Sequence, residues 1–130
     1  MSDKKSLIKE KAIELLIVDS GIDLPQEYLD FLRNRNDYVL DVEAGLEFGA
    51  GLFEIYPAEN VIQENKDMEV EEFLPGFFVF GGDRANELLA FDTREPKPWK
   101  IYMVPMIVMS EEDAVVIADS FESFIQSEKH

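Results

Sequence analysis

The sequence predicts an α+β fold: a largely antiparallel sheet packed with amino-terminal helices, one short inserted helix and a carboxy-terminal helix. Three observations predict it. Apolar residues recur at helical spacing near the start of the chain. Short aromatic or β-branched runs, separated by glycine or proline, fill its middle, and a serine-led helical stripe closes it.

Residues 2–18 read as the first helix, because Leu7, Ile8, Ala12, Leu15 and Leu16 recur near helical spacing with lysines and glutamates between them. Gly21 ends it. Leu24-Pro25 opens a second helix, since a proline in the first turn lacks only an N–H that has no partner there. Tyr28, Phe31 and Leu32 form its buried stripe, and Asn34 and Asn36 are stop signals. Residues 38–42 alternate as a strand, and residues 52–56 form another with Glu54 facing out. Gly45, Gly49 and Gly51 punctuate the interval between them. Pro57 leads a short helix to about residue 65, with Val61 and Ile62 as its apolar contacts. Residues 66–72 read as an acidic loop and Pro75-Gly76 as a turn.

Residues 77–80 are aromatic or β-branched and have no helical polar face, so they read as a strand. Gly81-Gly82-Asp83 is turn chemistry, and residues 88–91 resume as a second strand, which makes a hairpin with a longer loop. A phosphate-cradling loop would need a helix directly after the glycines and a lysine within the loop; neither is apparent. Glu95-Pro96-Lys97-Pro98 is a rigid connection unsuited to a central strand. Residues 100–104 add a third strand and complete a meander. Residues 106–109 and 115–118 are short and apolar, and either strand or buried loop fits them. Ser120 is a good N-cap for a final helix, with Glu122 in its first turn and Phe121, Phe124 and Ile125 as its stripe. No repeat or linker breaks the chain, so residues 1–130 are expected to form one domain able to bury a core unaided.

Composition narrows the chemistry. The chain has no cysteine, which removes thiol catalysis, disulfides and thiolate metal sites. Its only histidine is His130, the last residue, a poor position for a general base or a metal ligand. The start of the chain is polar, and the nearby apolar run is broken by Lys9, Glu10, Lys11 and Glu14, so neither a signal peptide nor a span of about 20 apolar residues is expected. The expectation is a soluble cytoplasmic protein that needs no cofactor. The net charge of −16 argues against nucleic acid or an anionic membrane as partner. That charge is concentrated. Between Arg35 and Arg84 stand twelve acids and one base, Lys66, a local balance of −11. Such a stretch is either a solvated face or an electrostatic surface for a basic protein.

Three ordered residue sets carry a resemblance. They are Leu24-Pro25-x-x-Tyr28-x-x-Phe31-Leu32; Phe78-Val79-Phe80-Gly81-Gly82-Asp83 continuing to Leu89-Ala90-Phe91-Asp92; and Ile117-Ala118-Asp119-Ser120-Phe121-x-x-Phe124-Ile125. Together they resemble the SUKH superfamily, the Smi/Knr-type domain, from about Gly21 onward. The chain departs where the family commonly has Asn-Gly, since Asn36 is followed by Asp37, and it carries Arg84 and Glu87 near the glycine turn. The resemblance implies an α+β fold with a central sheet and supplies no catalytic residue. Many bacterial members are immunity proteins that neutralise a toxin delivered between competing cells, and a fungal member regulates cell-wall glucan synthesis.

Three classes of function follow. The first is an immunity-type binding protein that holds a basic toxin domain, such as a nuclease, through its acidic surface. Glu59, Glu64, Asp67, Glu69, Glu71 and Glu72 would contribute charge, and Tyr56 or Trp99 would anchor the contact if exposed rather than in the core. The second is a regulatory or scaffolding domain with no toxin partner. The third, an enzyme, is not expected: Glu71-Glu72 and Glu111-Glu112, read as strand dipeptides, would point to opposite faces. A monomer or a homodimer formed through an exposed edge strand both fit.

Overall fold

The computed structural model describes residues 2–43 and 51–129, so Gly45, Glu47, Gly49 and His130 lie outside the described residues. Six strands lie across one antiparallel sheet in chain order: β1 (Val39–Asp41), β2 (Leu52–Ile55), β3 (Phe77–Gly82), β4 (Glu87–Asp92), β5 (Ile101–Pro105) and β6 (Val115–Ala118). Among the described residues five α-helices accompany them: α1 (Ser2–Ser20), α2 (Gln26–Asn34), α3 (Ala58–Asp67), α4 (Val70–Phe73) and α5 (Phe121–Gln126). Two helices, not one, are thus inserted between β2 and β3. Among the described residues no helix is long and apolar enough to cross a membrane.

Strand alternation builds two cores. Phe78, Phe80, Leu89, Phe91, Ile101 and Met103 face a layer drawn from α1, α2, α3 and α5. Their neighbours Phe77, Val79, Leu88, Ala90 and Val104 face the other way, onto Val70 and Leu74. Residues 106–109, left open by the sequence, form no strand, whereas 115–118 are β6. Burying both faces explains why residues 77–80 and 88–91 read as unbroken apolar runs.

The motif Leu24-Pro25-x-x-Tyr28 places Tyr28 at the hub of an aromatic cluster. Its ring meets Phe80, Phe91 and Phe121 edge-on at centroid distances of 5.7, 5.4 and 5.6 Å. Pro25 sits one position ahead of the helix, as its N-cap, so its fixed φ of −59° sets the entry without entering the first turn. Ser120 caps α5 as expected, its hydroxyl accepting from the Ser123 N–H at 3.1 Å.

The glycine pair is a correction. Gly81 and Gly82 are not the turn; they end β3 and pair with Leu89 and Leu88. A Cβ built on Gly81 would stand 2.4 Å from the Glu54 carbonyl oxygen, and one on Gly82 2.7 Å from that of Glu87. Glycine is needed here for close backbone approach on either side. The turn begins at Asp83, whose Oδ1 accepts from the N–H groups of Ala85, Asn86 and Glu87, each at 2.9 Å. Burial raises the Asp83 carboxyl, but these N–H donors outweigh it and hold the group below its usual range. Arg84 takes the left-handed conformation at φ 66° and its guanidinium grips the Glu54 carboxylate on β2.

The far edge of the sheet is covered. Glu43 N–H donates to the Ser127 carbonyl at 2.9 Å and Lys129 N–H to the Asp41 carbonyl at 2.7 Å, so the end of the chain lies along β1. Arg35 ties that tail to α2 with two hydrogen bonds to Glu128, at 3.1 and 2.9 Å. Self-pairing through β1 is therefore blocked by the chain itself.

Candidate functional site

The acidic run of residues 66–72 is not a loop. α3 continues to Asp67, Glu69 turns the backbone through the left-handed region at φ 55°, and α4 follows at once. The cause is apolar spacing: Val70 and Leu74 stand i, i+4 and both bury against the second core. That leaves Glu71, Glu72 and Phe73 projecting from α4. A cleft of about 580 Å³ separates this segment from the end of α1 and the start of β3, and Asp19, Lys66, Glu69, Glu71 and Glu72 line it.

Asn65 holds the wall of the cleft. Its Nδ2 donates to the carbonyls of Val61 and Val79 at 2.9 and 2.8 Å, and its Oδ1 accepts from the Val79 N–H at 3.0 Å. β2 pairs with β3 only at Gly81 and Gly82, which leaves Val79 without a β2 partner. The Asn65 amide takes the place of a strand there and locks α3 to β3. Nothing in the sequence singled this residue out.

The predicted site residues are only partly brought together. Glu69, Glu71 and Glu72 share the cleft. Glu64 lies instead toward Tyr56: burial first, then the charges of Glu64 and Glu54, push the Tyr56 phenol up to about 12. Glu59 acts on Tyr38, whose phenol is raised by burial and, after that, by Glu59. Asp67, exposed on α3, accepts from Gln63 Nε2 at 2.8 Å. Tyr56 is half-buried between the two cores. Trp99 is only 8% exposed and packs against Phe91, so it belongs to the core and offers no exposed anchor. Among the described residues the aromatic that does project is Phe73, 53% exposed beside Glu71 and Glu72. The Val70-x-x-x-Leu74 spacing could have shown it, since it orients residues 71–73 outward on a helical turn.

An ion-pair network stands behind Gly76 and Phe77, which line the cleft. Asp92, the one buried charged residue among those described, receives Arg94 Nε and Nη2 at 2.9 and 3.0 Å. Arg94 also pairs with Glu111, lies 4.7 Å from the Phe77 ring centroid and covers Gly76. Hydrogen bonding from Arg94, opposed by burial, holds the Asp92 carboxyl below its ordinary value. The carboxylate pairs also need correcting, because Glu71-Glu72 stand on α4 and Glu111-Glu112 on a 3-10 turn, neither on a strand. Among the described residues no group of three or more acidic or histidine side chains is placed to hold a metal ion.

An antiparallel meander capped by helices, with its ordered motifs spent on core aromatics, a close-packed glycine pair and a helix cap, defines an α+β domain of the SUKH type. The SMI1 / KNR4 family (SUKH-1) model matches residues 7–127, and the chain belongs to that family. No curated protein matches it.

Proposed function

We propose that this chain is a non-enzymatic protein-binding domain of the immunity type, which occupies a basic toxin domain through the acidic face around α4. The observation that carries this reading is the display of Glu71, Glu72 and the exposed Phe73 on one short helix beside a cleft lined by Glu69 and Asp19. Carboxylates steer and orient a basic partner, and an exposed aromatic beside them supplies apolar contact that charge alone does not. A nuclease fits this description, since its substrate-binding surface must be basic.

The test is co-expression with the product of the gene neighbouring this chain's own, which this reading expects to be a toxin. Wild type protects the cell and co-purifies with the toxin, whereas Phe73→Ala combined with Glu71→Lys and Glu72→Lys does neither. Co-purification with a harmless neighbour product would point instead to a regulatory or scaffolding role. Equal protection by the triple variant would remove α4 from the interface.

A further inference from the structure

We infer that α1 is a self-association surface on which a second copy of this chain docks its own α1 in antiparallel orientation. The inference does not rest on the function proposed above. Ile13 and Leu16 bury one side of α1, and the opposite side carries Leu7 and Val18, 71% and 73% exposed, flanked by the exposed Ile8 and Leu15. Positions 7, 11, 14 and 18 are spaced four, three and four residues apart, the spacing of a seam between paired helices.

Charge commits the seam to one occupant. Lys9 donates to the Arg35 carbonyl at 2.6 Å and Glu10 pairs with Arg33 at 2.8 Å, so these two are used within the chain. Lys4, Lys5, Lys11, Glu14 and Asp19 make no ion pair among the described residues. Of these five, the lysines stand at positions 4–11 and the acids at 14 and 19, with no basic residue in the last turn, while Asp3 opens the helix and Glu10 stands among the lysines. Asp3 suits the helix dipole while Lys4, Lys5 and Asp19 oppose it, and the dipole acts only in the terminal turns, so it does not account for Lys11 and Glu14 in the middle of α1. An antiparallel copy reverses the sign: Lys11 of each chain meets Glu14 of the other, and Leu7 meets Val18. A parallel copy would set lysine against lysine. The net charge of −16 opposes any dimer at long range, an effect that physiological salt screens within about 8 Å.

Sedimentation equilibrium at about 0.15 M salt, up to about 1 mM protein, tests this directly. Wild type is expected to dimerise. Lys11→Glu and Glu14→Lys, each placing like charges opposite one another twice per dimer, should each weaken association by about tenfold. An equimolar mixture of the two variants should recover wild-type association, because every seam pair is then attractive, and so should the double variant. Recovery in the mixture also shows that both variants are folded. A wild type that stays monomeric throughout, a dimer indifferent to either reversal, or single variants that weaken without recovery on mixing would each overturn the inference.

Discussion

Asn65 shows how one side chain sets the site. Removing its amide leaves the N–H and C=O of Val79 without their partners at a position β2 does not reach. Asn65→Ala is therefore expected to cost about 2–4 kcal/mol, the penalty of two unpaired backbone groups, read as a lower midpoint in urea. Asp92 works through charge. Its folded carboxyl lies below the unfolded value, so the stability it contributes is fully present above the unfolded carboxylate range and is lost as pH falls through the lowered one. Asp83 acts in the same direction. Wild type should lose stability steeply between about pH 5 and pH 2, and Asp92→Asn, less stable at neutral pH, should lose less over that window in urea titrations.

At the scale of elements, local chemistry was legible where it acted alone. The Ser120 cap and the Asp83 turn follow from side chains that bond within a few residues of themselves. The Tyr28 stripe follows from spacing along one helix, although its partners Phe80, Phe91 and Phe121 are distant in the chain. The glycine pair misled because glycine serves two purposes, positive φ and close approach, and only the position of β2 tells which applies at Gly81. Gly81→Ala forces β2 and β3 apart and should cost at least about 2 kcal/mol by thermal unfolding. A small loss would mean that the contact with the Glu54 carbonyl is not tight. α4 was hidden by its composition: three glutamates in residues 69–72 outweigh the one apolar residue among them, although Val70 and Leu74 decide the fold. Asn65 was beyond reach, since its partners at Val79 are fourteen positions away and are themselves backbone.

Across the whole molecule, charge and shape are separable. The middle of the chain holds most of the acidic surplus, yet folding distributes it: Glu54 is spent on Arg84, Glu64 faces Tyr56, and only Glu69, Glu71 and Glu72 of the named acids share the cleft. Composition thus predicts attraction to a basic partner, and on the proposed reading the helical turn at α4 selects the face. On that reading, the most direct measurement is the association rate of the purified domain with the product of the gene neighbouring its own, followed by stopped flow as salt rises. A steep fall in rate with ionic strength is expected, together with a drop of about tenfold for Glu71→Lys with Glu72→Lys at low salt. An association rate that salt leaves unchanged, or that this double reversal leaves unchanged, would contradict recognition through the acidic face.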